Sequence, residues 1–351
     1  MKYAHVVHYV RHAIWAIDPD KMHDLLAVLA FRAGGGVFTP EELQARLGTV
    51  AEGSAEPSTS GTLAIVPLRG VIAHRIGLMD DSSGGASAER FTSLIGRVAA
   101  DPAVSTILID ADTPGGTVPG VIEAADAVFA ARETKRVVAI ANSKMQSAGY
   151  WIGSQAHEVI AIPSALDPSI GSIGAFTVHQ DLSAALEQAG VKTTVISAGK
   201  HKVDGNPFEP LSEDYRAHLQ AAVDAAYAAF VKAVARGRGV SVSDVRRGFG
   251  EGRSLSAVDA KAAGLIDRIA TMDDTMARLS GQGRARGAGG VRAAADDDAG
   301  CPACGGSGLQ PEQHMGDLNG QAPCPACRPV QSSAVSTAKE QGDRVRRLKI
   351  G

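Results

Sequence analysis

An α/β fold with a largely parallel sheet is predicted for residues 62–280 of this 351-residue chain. Three observations predict it. Apolar runs with little polar alternation, such as TLAIVPLRGVI from Thr62 and VSTILIDAD over 104–112, read as strands buried on both faces. Helical patterns intervene between those runs, as parallel strands require of their crossovers. The composition, 44% apolar and 21% charged, is that of a globular chain able to bury a core.

The elements follow in order. Residues 1–47 read as a small helical preface. Asp18-Pro19-Asp20 is a helix start, and Met22, Leu25, Leu26, Val28 and Leu29 supply its apolar face. Thr39-Pro40-Glu41-Glu42 repeats the signal with an N-cap threonine, proline at the first helical position and acids in the first turn. Residues 48–61 are small and polar and read as a linker. Beyond the first strand, a helix is expected over 88–100, a strand over 104–112, a helix over 118–133 and a strand over 136–143. A helix over 147–155 follows directly, then strands over 157–163 and 173–179, a helix over 181–190 and a strand over 192–199. A long amphipathic helix spans about Ser212 to Arg236, with shorter pieces at 242–248, 256–263 and 271–279. After Gly281 the chain is a low-complexity tail that lacks the apolar residues for a core.

Charge and cysteine usage exclude several classes. The formal net charge is −3 and no basic stripe precedes the last few residues, so no nucleic-acid partner is expected. No apolar run approaches the roughly 20 residues of a bilayer span, and the N-terminus lacks the apolar core of a signal peptide. A cytoplasmic protein without a membrane partner is expected. All four cysteines lie between 301 and 327, so the main fold uses no disulfide.

Three segments carry chemistry. Asp112-Thr113-Pro114-Gly115-Gly116 follows a buried strand, and its glycines let N–H groups point outward where they can stabilise an oxyanion. By itself the segment also reads as an ordinary strand-to-helix turn. Met145-Gln146-Ser147-Ala148-Gly149-Tyr150-Trp151 places a serine at the start of a helix. Such a serine is either an N-cap or an exposed nucleophile, and the flanking residues do not make a G-x-S-x-G elbow. Gly199-Lys200-His201-Lys202-Val203-Asp204 is a basic turn, and a lysine there serves as a base only where burial or nearby positive charge lowers its pKa.

The ordered set DTPGG, SAGYWI, PSIGSIGAF, SAGKHKVD and AYAAFVKAVARGRG, closed by GEGRSLSAVDAKAAGLID at 249–267, resembles peptidase family S49. These are the signal peptide peptidase A-like serine–lysine peptidases, and they include phage head-maturation proteases. The resemblance implies a ClpP/crotonase-like superhelical fold over about 62–280 and a serine endopeptidase activity. It implies Ser147 as nucleophile and Lys202 as general base, with Lys200 the neighbour easily mistaken for it. It implies Ser172 as the serine that holds the lysine amine, although the doubled S-I-G leaves Ser169 as the alternative. Gly115, Gly116 and Ala148 match the oxyanion-hole backbone. The absence of a membrane anchor favours the phage branch, in which the substrate is capsid scaffold, the enzyme works in the host cytoplasm or prohead, and neighbouring subunits of a homo-oligomer build the groove.

Other readings stay open at this point. The same fold carries Ser-His-Asp triads, for which His179 and His201 are the nearby imidazoles. It also carries crotonases acting on acyl-CoA, which would need neither the SAGYW serine nor the lysine. A non-catalytic assembly protein is the third reading. No catalytic cofactor is expected. Cys301-x-x-Cys304 and Cys324-x-x-Cys327 have the spacing of a structural zinc site with four thiolates.

Overall fold

The computed structural model describes residues 13–33, 36, 38, 39, 42, 56–75, 85–167 and 169–280. The four cysteines and the tail over 281–351 lie outside the described residues. Of the second helix start, Thr39 and Glu42 are described, and they exchange capping bonds: the Glu42 N–H donates to Thr39 Oγ1 at 3.2 Å and the Thr39 N–H donates to Glu42 Oε2 at 2.9 Å.

Twelve strands are formed by the described residues, named here in chain order. They are β1 (Trp15–Ile17), β2 (Ser58–Ser60), β3 (Leu63–Arg69), β4 (Ile72–Ala73), β5 (Ala86–Ser87), β6 (Thr106–Thr113), β7 (Gly115–Thr117), β8 (Arg136–Gln146), β9 (Glu158–Ala161), β10 (Ile170–Gly171), β11 (Ser254–Leu255) and β12 (Arg268–Ile269). The main sheet runs β11-β10-β8-β6-β3-β2, with β9 joining β8 and β12 joining β9. Its central pairs, β3 with β6 and β6 with β8, are parallel, as are β8 with β9 and β10 and β9 with β12. The expected parallel α/β sheet is therefore present, bounded by antiparallel strands at both edges.

Burial explains the unbroken apolar runs. Ile107, Ile109 and Ala111 of β6 face the helices Ala88–Ala100 and Val121–Ala131, meeting Phe91, Leu94, Ile95, Val121 and Val128. Leu108 points the other way, packing with Leu63, Val138, Ile140 and Ile160 under Met272, Met276 and Leu279 of the helix Met272–Leu279. A strand covered on both sides shows no polar alternation.

Four findings depart from the expectations. Trp15–Ile17, expected within a helical preface, is a strand buried beside the helix Pro19–Ala33. Ser58–Ser60, expected in a linker, pairs with β3. The strand expected over 173–179 is reduced to one antiparallel bridge between Phe176 and Trp15. No strand forms over 192–199, where Ile196 is 94% exposed. The helix Ser183–Gln188 buries none of its residues. A β-prone run becomes a strand only when a neighbour pairs with it, and among the described residues this run pairs with none.

A smaller sheet, β1-β7-β4-β5, lies beside the main one. Its centre is β7, the Gly115-Gly116-Thr117 segment, held antiparallel to β1 and parallel to β4.

Candidate active site

Ser147 stands where β8 ends and the helix Ala148–Gly153 begins. Its backbone has φ 52° and ψ −118°. A non-glycine residue there costs about 1–3 kcal/mol, and such strain gathers at functional sites. The turn is fixed by the Ser147 N–H donating to the Gly171 carbonyl at 2.6 Å. The chain thus makes a sharp strand–turn–helix corner with Gly149 at the second glycine position of a G-x-S-x-G motif but Met145 at the first.

The N-cap reading of Ser147 does not describe what is found. Ser87, Ser212, Ser241, Ser256 and Thr271 each accept an N–H from the first turn of their helices. The Ser147 side chain makes no such bond. The helix behind it is anchored otherwise. The Tyr150 hydroxyl donates to the Leu265 carbonyl at 2.7 Å, and burial pushes that phenol's pKa up. Trp151 stacks on Phe230 of the long helix Glu213–Arg238, ring centres 4.5 Å apart.

The glycine turn meets the serine closely. A Cβ on Gly115 would collide with the Ala16 carbonyl oxygen and lie 2.9 Å from Ser147 Cβ and 3.0 Å from the Ala148 nitrogen. Gly115 has φ 96°, which glycine adopts freely. Its N–H, however, donates to Thr113 Oγ1 at 3.1 Å. Of the three amides expected from sequence to form an oxyanion hole, that of Gly115 is taken up within the turn, that of Gly116 lies in the ladder facing Ala16, and that of Ala148 opens the helix behind Ser147. Beneath this turn, Asp110 takes an ion pair from Arg69 and a hydrogen bond from Asn142 at 3.1 Å. Burial raises the pKa of neighbouring Asp112, with the Ser143 hydroxyl opposing it.

The register of β10 sets where the two candidate serines, Ser169 and Ser172, stand. Ile170 pairs with Met145 and Gly171 with Gln146, so the next step brings Ser172 level with Ser147. Ser172 is buried, has φ 53° and donates to the Gly252 carbonyl at 3.4 Å. Ser169 lies three residues earlier, its hydroxyl buried without a hydrogen-bond partner among the described residues.

Lys202 makes no hydrogen bond to Ser147 among the described residues, and it is exposed where Ser147 is buried. It sits exposed in the turn following Gly199, its N–H donating to the Gly199 carbonyl at 3.1 Å. The imidazoles are elsewhere too. His201 is exposed and pairs with Asp204 at 2.8 Å, and His179 faces the Asn206 carbonyl at 3.4 Å.

Sequence reasoning missed one set of residues at this site. Ala16 of β1 pairs with Gly116, and Asp18 accepts a hydrogen bond from Gln146, the residue before Ser147, at 2.9 Å. The available signal was the apolar run Ile14-Trp15-Ala16-Ile17 immediately ahead of a strong helix start.

No helix among the described residues is long and apolar enough to cross a membrane.

Residues 130–285 match the family model described as Peptidase family S49. Capsid assembly protease C of Escherichia phage lambda is 36% identical over 214 residues, covering 61% of this chain and 48% of that protein. Head-tail preconnector protein GP5 of Enterobacteria phage P21 is 32% identical over 221 residues, covering 62% of this chain and 42% of that protein. The chain spans about half the length of these two curated relatives. Among solved structures, a mutant of ClpP1 from Listeria monocytogenes superposes with a TM-score of 0.38 at 15% identity, covering 60% of this chain and 92% of that chain.

Proposed function

Because residues 130–285 match the model of peptidase family S49, we propose that this chain is a serine endopeptidase of that family, with Ser147 as nucleophile and Lys202 as general base. The observation that carries the reading is Ser147 itself: strained, uncapped, and set against the Gly115 turn and the Ala148 amide.

The chemistry runs in two halves. Ser147 Oγ attacks the scissile carbonyl carbon while the Lys202 amine takes the hydroxyl proton. The oxyanion is held by the Gly116 and Ala148 N–H groups. The tetrahedral adduct collapses, the C–N bond breaks, and the leaving amine receives the proton from Lys202. Water then adds to the acyl-enzyme, giving up a proton to the same amine, and the C–Oγ bond breaks as the amine returns that proton to Ser147. Ser172, level with Ser147, orients the lysine.

Lys202 reaches the site in an assembly of copies. The segment around 178–211 is exposed, with Val178, Val191, Ile196 and Phe208 among the exposed large apolar side chains. Docking this arm on a second copy would bury them and give a lysine the apolar surroundings that base catalysis needs. The substrate is a protein, and the phage relatives favour a capsid or scaffold protein cleaved during head assembly in the host cytoplasm.

Incubation with an unfolded protein, read by fragment mass, tests the assignment. Wild type cleaves it, Ser147→Ala and Lys202→Ala do not, and His179→Ala and His201→Ala do. Cleavage by Lys202→Ala together with its loss in either histidine variant rejects the dyad in favour of a triad.

The cysteine quartet is proposed as a structural zinc site apart from the catalysis. Metal analysis of the purified chain should find one zinc, removable without loss of peptide cleavage. A chain free of zinc would reject it.

A further inference from the structure

Ser147 is 1% exposed, although a nucleophile has to meet its substrate. Across the Gly115 turn that Ser147 borders runs β1. The Val118 N–H donates to the Ile14 carbonyl at 3.1 Å and the Asp18 N–H to the Pro114 carbonyl at 2.8 Å. These bonds bracket the Ala16–Gly116 pair, and antiparallel ladders alternate with a period of two, so Ala16 and Gly116 form the hydrogen-bonded pair between them. On its other edge Trp15 exchanges both backbone bonds with Phe176, at 2.8 and 2.9 Å.

Residues 14–18 are thus bonded on both sides, as an extended peptide is when it adds a strand inside a cleft. The Ala16 carbonyl oxygen crowds the same spot beside Gly115 that Ser147 Cβ and the Ala148 nitrogen border. The Gly116 amide assigned above to the oxyanion is the one that faces Ala16. Trp15 and Ile17 bury themselves with Met22, Leu25 and Val71, while Ala16 is fully buried in the main core. Asp18 ties the far end to Gln146, next to the serine.

We propose that residues 14–18 are an intramolecular substrate mimic that fills the peptide cleft and holds the chain latent. The segment that replaces them is an extended peptide carrying a small residue where Ala16 stands, flanked by bulky apolar ones as Trp15 and Ile17 flank Ala16. The mimic itself escapes attack while Lys202 stays exposed on its turn, away from Ser147. The proposal rests on the peptidase reading above.

The test compares the rate at which a fluorophosphonate labels wild type, Trp15→Ala and Asp18→Ala, with Ser147→Ala as the blank. Asp18→Ala covers the case in which loss of the buried tryptophan prevents folding. Loosening the strand should raise the rate by about tenfold or more, since reactivity scales with the open fraction. Equal rates in wild type and both variants overturn latency and leave the peptidase reading standing. Labelling in none of them counts against the peptidase reading instead, and a second measurement then decides the mimic. A fluorescent peptide spanning residues 13–19 should bind the loosened variants and not wild type, read by anisotropy. Equal binding to all, or to none, overturns the mimic.

Discussion

Gln146 joins three distant segments at the nucleophile: its side-chain amide donates to the Asp18 carboxylate at 2.9 Å and to the Ser254 hydroxyl at 2.9 Å. Asp18 also accepts the Asp20 N–H at 3.1 Å, so one carboxylate caps the first helix and clasps the serine turn. Asp18→Ala should lower stability by about 1 kcal/mol, the usual cost of a lost cap. Thermal melts of wild type and variant check this, and an unchanged melting temperature would count against the clasp.

The glycine turn can be probed with an internal control. A Cβ at Gly116 would collide with the Ile72 backbone, and Gly115 combines φ 96° with the Ala16 oxygen in the way. Gly115→Ala and Gly116→Ala should each destabilise by more than the ~1–3 kcal/mol of backbone strain alone. Gly96 lies within the helix Ala88–Ala100 with open space where its Cβ would be. Gly96→Ala should therefore stabilise by about 0.5–1 kcal/mol. Chemical denaturation of the three variants gives the comparison, and equal effects would contradict the packing described for the turn.

Glu158 sets an acid limit. Burial opposes its ionisation, but Arg278 foremost, with Arg268 and Arg136, outweighs burial and holds its pKa below the ordinary value. A depressed carboxylate contributes stability that is present above its unfolded pKa and lost as pH falls through its folded one. Stability should thus fall on acidification below about pH 4.3, the ordinary glutamate value. Glu158→Gln should be less stable at neutral pH and lose less of its stability on that descent. Melting temperature against pH is the readout, with parallel curves for the two proteins as the contrary result.

If a second copy delivers Lys202, the two catalytic groups can be supplied by different chains. Mixing inactive Ser147→Ala with inactive Lys202→Ala protein, under conditions that exchange subunits, should restore part of the cleavage. Exchange without recovery would place both groups in one copy and contradict the shared site.

Much of this was legible in the sequence, for identifiable reasons. Strands over 104–112 and 136–143 announced themselves because both faces are buried, and the serine and glycine segments because they follow those strands directly. The role of Trp15–Ile17 was hidden. Three residues carry no period, and their partners, Gly115–Thr117, lie about a hundred residues away. KTTVISAG over 192–199 misled because propensity was read without a neighbour to pair with. The β10 register, Ile170 with Met145 and Gly171 with Gln146, comes from strand pairing, and composition does not supply it.

The most direct measurement is the site of a fluorophosphonate adduct, mapped by peptide mass in wild type and in Lys202→Ala. A single adduct is expected on Ser147, forming at least about a hundredfold more slowly without the lysine. An adduct on another residue, or one on Ser147 whose rate ignores the loss of Lys202, would contradict it.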